Sequence, residues 1–118
     1  MQQHQELELI IAYSELPVRV LIIITTIAVV PAFEEMLFRG LFQTMLRSIL
    51  DSRKGAWLSI IISSGLFTAA HYEPTHWPAL FALSVCMGYA YEKSGSLFRP
   101  IFIHSLFNAS SVIAVLYQ

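Results

Sequence analysis

Residues 20–45 read VLIIITTIAVVPAFEEMLFRGLFQTM, and this stretch decides the fold. Its first part, residues 20–33, contains no Asp, Glu, Lys or Arg, and the apolar pattern continues beyond the acidic pair that follows. A helix on the surface of a soluble protein shows a polar stripe every three or four residues. The run LIII at residues 21–24 leaves no room for such a stripe. The stretch therefore predicts one helix of roughly 26 residues, about 40 Å long, which is enough to cross a membrane.

Three more stretches lack charged residues, and each is long enough for a membrane span. They are residues 55–72, 74–91 and 100–118, and a transmembrane helix needs about 17–25 residues. The 118-residue chain is 56% hydrophobic and 13% charged, about half the charge of a soluble domain. We therefore expect an all-α, polytopic membrane helical bundle with about four transmembrane helices, rather than an unusually apolar soluble bundle. Residues 16–117 would form this core, and residues 1–15 a polar N-terminal tail.

The charge distribution excludes some partners and predicts an orientation. A net charge of -1 without a basic cluster argues against binding to nucleic acid. The single cysteine, Cys86, excludes an internal disulfide. Lys and Arg concentrate in the loops at residues 47–54 and 93–99. By the positive-inside rule, a multi-pass protein of the cell membrane would hold these loops in the cytoplasm and both termini outside, provided that no helices precede the chain.

Small residues recur at four-residue spacing in three of the expected spans. This spacing lets helix backbones approach closely in lipid. The sequence therefore predicts helix contacts at three pairs of positions: Ser59 with Ser63, Ser84 with Gly88, and Ser110 with Ala114.

The first expected span carries three ionisable residues, and such residues at membrane depth are costly unless they are paired or functional. Glu35 and Arg39 are four residues apart, so they share a helix face and can form an ion pair. Glu34 lies about 100° around the helix and has no such partner in its own helix. The pattern thus predicts a structural role for Glu35 and a chemical role for Glu34. Pro31 should kink the helix or free the carbonyl of Ile27.

Two further polar groups lie on other expected spans. His71 ends the second span, and His104 with Asn108 occupies one face of the fourth. Together with Glu34, these side chains could hold a water molecule, or a divalent metal such as Zn²⁺ bound by Glu34, His71 and His104. Glu34 could act as general base and a histidine could stabilise an oxyanion, which is the chemistry of amide hydrolysis. Counting residues from the loops places Glu34 and His71 at similar depth and His104 nearer the surface.

At this point the chain resembles the CAAX protease and bacteriocin-processing superfamily of intramembrane glutamate proteases or metalloproteases. This family includes the type II CAAX prenyl endopeptidases and the Abi proteins. The resemblance covers roughly residues 16–117 and rests on three motifs in the family's order, namely Glu34-Glu35-x-x-x-Arg39, Phe67-x-x-x-His71 and His104-x-x-x-Asn108.

The resemblance implies an intramembrane endopeptidase with an assigned role for each motif residue. Glu34, His71 and His104 would activate the hydrolytic water, Asn108 would help to position it, and Glu35 with Arg39 would form the supporting pair. The family leaves open whether a metal is required. The implied substrates are lipidated CAAX-type proteins or leader and bacteriocin-type peptides. Members usually carry further helices before the Glu-Glu motif. The sequence therefore leaves open whether the chain is a fragment, is joined by additional helices or forms an oligomer.

Two other functions are compatible with the same polar residues. A non-catalytic membrane binding or immunity protein could keep the polar cluster for recognition of a peptide or lipid. A proton-relay subunit would need polar residues from one membrane face to the other, and residues 20–33 offer only Thr25 and Thr26. Because all six motif positions are intact, the enzyme is the leading hypothesis, with membrane lipid and a peptide or lipidated protein as its partners.

Overall fold

The computed structural model describes residues 3–13, 15–71 and 73–118, with the side chains from residue 5 onward, and no strand occurs in this part of the chain. The protein is all-helical, as predicted. The helices are α1 (Gln3–Ala12), α2 (Leu16–Ile49), α3 (Arg53–Ala69), α4 (Trp77–Ser94) and α5 (Phe98–Leu116). A short 3₁₀ turn, Pro74–His76, precedes α4.

Helix α2 is longer than predicted and irregular at two places. It runs for 34 residues, about 51 Å, instead of the expected 26 or so. Two segments, Thr25–Val29 and Met36–Gln43, are π-helical. The first lies just before Pro31, whose ring nitrogen carries no hydrogen and cannot continue the backbone hydrogen bonding. Widened turns of this kind occur often at functional sites, and here they flank the Glu34-Glu35 pair.

The bundle is polar inside and apolar outside, the reverse of a soluble protein. Large apolar side chains face outward, such as Leu21, Phe33 and Ile49, which are 65%, 68% and 73% exposed. The interior holds few apolar side chains, among them Phe67 and Met87, and many polar ones. The buried polar residues are Thr26, Glu34, Glu35, Arg39, Gln43, Ser59, Ser63, Ser64, Thr68, Ser84, His104 and Asn108. Lipid is the solvent that suits this distribution, because it accepts the apolar exterior and leaves the polar groups to each other.

Two helices meet the length and hydropathy expected of a membrane span. These are Leu16–Ile49 and Phe98–Leu116. Helix α3 has 17 residues and α4 has 18, and neither meets the same criteria within the described residues. The count of about four transmembrane helices therefore stays a prediction for α3 and α4.

Part of the expected N-terminal tail is helical. Helix α1 occupies residues 3–12 of the 1–15 segment, while residues 1, 2 and 14 lie outside the described part. Ile10 is fully buried, and its carbonyl accepts a hydrogen bond from Arg19 Nε at 3.0 Å. Helix α1 is thus attached to the first turns of α2.

Small residues bring α3 and α4 against α2, as two of the three predicted pairs required. Ser59 and Ser63 on α3 and Ser84 and Gly88 on α4 are buried, whereas the third pair, on α5, is exposed. The contact expected at the third pair therefore stays a prediction. Small residues lie at a contact within the bundle only if their side of the helix faces the interior. On α5 the side that carries His104 faces the interior, and the side that carries Ser110 and Ala114 does not.

Gln43 joins the three helices where Gly88 leaves room for it. Its Nε2 donates to the Gly88 carbonyl at 3.0 Å, and its Oε1 lies 3.5 Å from Ser63 Oγ. A Cβ atom added at Gly88 would lie 3.1 Å from both Gln43 Oε1 and Ile60 Cγ2. The absence of a side chain at Gly88 is therefore part of the packing.

We expect Gly88→Val to destabilise the protein by about 1–3 kcal/mol, because the branched side chain meets Gln43 and Ile60 in a packed interface. Thermal unfolding in detergent measures the effect. Gly65→Val is the matched control, since a Cβ atom at Gly65 has no neighbour within 4 Å. Equal unfolding temperatures for the two variants would contradict the close approach of α3 and α4 to Gln43.

Candidate active site

Three helices contribute the predicted site residues. Helix α2 carries the two glutamates and Arg39 on either side of the boundary between its regular turn Val30–Glu35 and its second π segment. Helix α5 carries His104 and Asn108 on its buried face. His71 follows the last turn of α3. The site is therefore assembled from residues that are up to 74 positions apart in the chain, from 34 to 108.

Glu35 links its own helix to α5. Arg39 Nη1 lies 3.2 Å from Glu35 Oε2, so the predicted ion pair is present, and both side chains are fully buried. The other oxygen, Oε1, lies 2.8 Å from His104 Nδ1. A carboxylate held in this way fixes the orientation of the imidazole, because the nitrogen next to it must carry the proton.

Arg39 is held from three sides. Its Nη2 donates to both the carbonyl and the hydroxyl of Ser84 on α4. Its guanidinium carbon lies 5.1 Å from the centre of the Phe67 ring, within the range of a cation–π contact. Arg39 therefore ties α2 to α3 and α4 while it holds Glu35, which supports a structural role for the Glu35–Arg39 pair.

Glu34 faces the other side of the same histidine. Its Oε2 lies 3.6 Å from His104 Nε2, and its side chain is buried. His104 thus lies between two adjacent carboxylates, with Nδ1 close to Glu35 and Nε2 towards Glu34. The two glutamates differ in their contacts: Arg39 forms an ion pair with Glu35, whereas the ion-pair distance found for Glu34 is the one to His104.

His71 lies beside this group but is not bonded to it. Its Nδ1 lies 2.7 Å from the Phe67 carbonyl. The ring of Phe67 packs against both histidines, with centroid distances of 4.8 Å to His71 and 5.6 Å to His104. Because a carbonyl oxygen only accepts, Nδ1 donates to the Phe67 carbonyl, and Nε2 is the ring nitrogen that this hydrogen bond does not use. No hydrogen bond or ion pair joins His71 to Glu34 within the described residues.

Asn108 contacts the backbone of α2 instead of the carboxylates. Its Nδ2 donates to the carbonyl of Thr26 at 2.9 Å. The expected free carbonyl was that of Ile27, which assumed α-helical hydrogen bonding before Pro31. In the π segment the hydrogen bonds run over five residues, as from Val30 to Thr25, so the proline deprives Thr26 of its partner. Asn108 therefore binds the carbonyl one residue before Ile27, a contact that the sequence did not predict.

The residues expected to bind a metal do not form a ligand set here. Across residues 3–13, 15–71 and 73–118, no group of three or more His, Cys, Asp and Glu side chains could hold an ion. Both nitrogens of His104 face carboxylates, and His71 is turned towards Phe67. This arrangement does not fit a divalent metal, and the involvement of Zn²⁺ stays a prediction.

Three residues near the site were not identified as site residues from the sequence. Ser84 was identified only as a small packing residue, and Thr26 only as a polar residue in an apolar stretch. Glu6 comes from the expected tail; its carboxyl group forms a hydrogen bond with the Thr26 side chain, and it lies close enough to Glu34 for the two to repel each other. Burial raises the pKa of Glu6, and the hydrogen bond acts in the opposite direction. No local pattern could reveal these contacts, because each joins different helices.

Comparison with known proteins finds one family model and one relative that match this chain. Residues 16–110 match the type II CAAX prenyl endopeptidase Rce1-like family. An Escherichia coli protein described as "Uncharacterized 24.3 kDa protein" is 31% identical over 96 residues, which cover 79% of this chain and 43% of the relative. The chain thus spans less than half the length of that relative. No solved structure matches.

The matched region includes all six predicted site residues and extends from the start of α2 into α5. Together with the apolar exterior, it identifies a membrane protein. The chain belongs to the type II CAAX prenyl endopeptidase Rce1-like family.

Proposed function

We propose that the chain is the catalytic core of an intramembrane endopeptidase that hydrolyses a peptide bond near the membrane. The observation that carries this proposal is the unequal environment of the two adjacent carboxylates. Glu35 is held by Arg39, whereas Glu34 faces His104 Nε2 at 3.6 Å. One carboxylate is thus available for proton transfer beside an imidazole that the other carboxylate orients, as general acid–base catalysis requires.

In the proposed reaction Glu34 accepts a proton from a water molecule as that water attacks the carbonyl carbon of the peptide bond. The negative charge that forms on the carbonyl oxygen is stabilised by the Nε2–H of His104 or His71 with both nitrogens of the ring protonated, because Nδ1 of each ring is already directed to Glu35 or to the Phe67 carbonyl. Glu35 keeps the His104 ring in place. The C–N bond then breaks, and Glu34 returns its proton to the leaving amine. Atoms and charges balance without a further reactant, and the products are a carboxylic acid and an amine.

The proposed substrates are lipidated CAAX-type C-terminal peptides or leader and bacteriocin-type peptides. Family membership supports the first class. The exposed apolar side chains on the outside of the bundle support membrane lipid as the surrounding medium. Additional helices or a second copy of the chain would provide further walls of the substrate path.

The proposed orientation, which holds if no helices precede the chain, places both basic loops in the cytoplasm and both termini outside. Arg47 Nε, at the end of α2, lies 3.0 Å from Glu92 Oε1, near the end of α4. This ion pair supports the proposal, because it places the loops at residues 47–54 and 93–99 at the same end of the bundle.

A cleavage assay on purified protein tests the function and the substrate class together. Wild type in detergent with lipid would be offered prenylated C-terminal peptides, the same peptides without lipid, and leader-type peptides, and the products would be identified by mass spectrometry. We expect a defined cut by wild type and by Glu15→Gln, an exposed glutamate used as matched control. Glu34→Gln should leave all peptides intact.

Two outcomes would redirect the proposal. Peptides that bind to wild type and to Glu34→Gln equally well, without cleavage by either, would favour the binding or immunity function. Cleavage that a chelator abolishes and Zn²⁺ restores would establish a metal that the present side-chain arrangement does not fit.

A further inference from the structure

Pro31 removes a backbone donor from α2, and this affects Asn108 on α5. In the π segment Thr25–Val29, the N–H of Val30 donates to the carbonyl of Thr25, five residues earlier. The next bond in this series would run from residue 31 to the carbonyl of Thr26. Residue 31 is proline, so this bond has no donor. The Thr26 carbonyl is thus left without its helical partner in the interior of the bundle.

Asn108 supplies the missing donor, and this contact determines which way its amide faces. Its Nδ2 lies 2.9 Å from the Thr26 carbonyl oxygen. A carbonyl oxygen only accepts hydrogen bonds, so the amide nitrogen of Asn108 must be the group turned towards it. The other end of the amide, Oδ1, is buried and has no hydrogen-bond partner within the described residues. A buried acceptor without a partner is destabilising, so a donor is expected there during function.

We propose that Pro31 is a positioning residue: by withholding a backbone N–H, it reserves the Thr26 carbonyl for Asn108 and leaves Asn108 Oδ1 as an acceptor in the site. The proposal rests on the proposed hydrolysis. His104 and Asn108 are four residues apart on α5 and are both buried, so Oδ1 belongs to the same polar interior as Glu34. The donor is the attacking water, which gives one hydrogen to Glu34 and directs the other to Oδ1.

This assignment uses only one of the two donors of the Asn108 amide. Its Nδ2 carries two hydrogens, and the Thr26 carbonyl accepts one of them. The bond to Thr26 therefore does not exclude Asn108 from stabilising the oxyanion through the second hydrogen, while Oδ1 orients the lone pair of the water towards the peptide carbonyl.

The experiment uses the fact that Asn108 is the only asparagine in the chain. Labelling with ¹⁵N-asparagine gives one side-chain amide in the NMR spectrum of the full chain in detergent. In wild type we expect one amide proton to exchange slowly with solvent. Pro31→Ala adds an N–H that competes for the Thr26 carbonyl, so the Asn108 signal should shift and its exchange should accelerate. Pro78→Ala is the matched control, because Pro78 lies in the first turn of α4, on a different helix from the Thr26 carbonyl.

Kinetics then show whether this orientation matters for hydrolysis. Pro31→Ala should lower kcat about 10- to 100-fold with little change in KM, and Asn108→Ala should lower it by a similar factor. The double variant should be no slower than the single variants, because both changes remove the same interaction. Pro78→Ala should retain the wild-type kcat.

Several results would overturn the proposal. One is an Asn108 side-chain signal that does not change in Pro31→Ala. Another is rapid solvent exchange of both Asn108 amide protons in wild type. This second result would refute the hydrogen bond to Thr26 even if Pro31→Ala does not fold. A changed signal with unchanged kcat would refute the positioning of the water. If wild type cleaves no peptide, the proposed function fails, whereas the NMR result still decides whether Pro31 orients Asn108.

Discussion

Replacement of Glu34 by Gln is expected to lower the rate of peptide hydrolysis by about 10²–10⁴-fold, the usual contribution of a general base. Gln has nearly the same shape as Glu, and its amide can still face His104 Nε2, so the helices should pack as before. It cannot accept a proton from water, because the amide oxygen is a far weaker base. The loss should appear in kcat, measured by mass spectrometry of the cleaved peptide under saturating substrate.

The control for this experiment is the folded state of the variant. The circular dichroism spectrum and unfolding temperature of Glu34→Gln should match those of wild type within a few degrees, since Glu34 takes no part in the Arg39 contacts. A folded Glu34→Gln protein that retains wild-type kcat would falsify the role of Glu34 as the base.

Replacement of Arg39 by Ala is expected to have the largest effect on stability, about 3–5 kcal/mol, as for one partner removed from a buried ion pair. Arg39 and Glu35 are both fully buried. Without the guanidinium, the fully buried Glu35 carboxylate loses its ion-pair partner, and the Ser84 contacts are lost as well. The variant should give a low yield of monodisperse protein and unfold at a clearly lower temperature than wild type.

The chain contains a matched control for this prediction. Arg47 forms an ion pair with Glu92 that is partly exposed, and such pairs contribute less than about 1 kcal/mol. Arg47→Ala should therefore unfold close to wild type. Combining Arg39→Leu with Glu35→Gln should restore part of the stability, because no buried charge is then left alone. Equal stability of Arg39→Ala and Arg47→Ala would contradict the structural role of the Glu35–Arg39 pair.

The long apolar helix and the Glu35–Arg39 pair could be predicted because both depend on local geometry. Residues four apart in a helix are neighbours whatever the helix packs against, and the absence of a polar stripe in residues 20–33 does not depend on the fold. Helix limits were less predictable. Helix α2 extends to Leu16 and Ile49, since charged residues near a span end do not interrupt backbone hydrogen bonding.

The depth of His104 shows where counting along the chain fails. Counting from the loops placed His104 nearer the surface than Glu34, yet His104 Nε2 and Glu34 Oε2 are 3.6 Å apart. The count assumed helices of equal depth and regular pitch. Helix α2 is π-helical on both sides of the Glu34-Glu35 pair, and π-helical turns change both the rise and the rotation of the residues that follow.

The sequence by itself determined the all-helical class of the protein and the residue types of its polar interior, whereas the division of roles between Glu34 and Glu35 stays a prediction. Only the tertiary structure decided that His104 lies between the two carboxylates, that Ser84 holds Arg39, and that Asn108 binds the carbonyl of Thr26. The physical reason is the range of the interactions. Hydropathy and i,i+4 contacts are properties of single helices, whereas contacts between helices depend on their rotation and depth, which are set when all of the helices pack together.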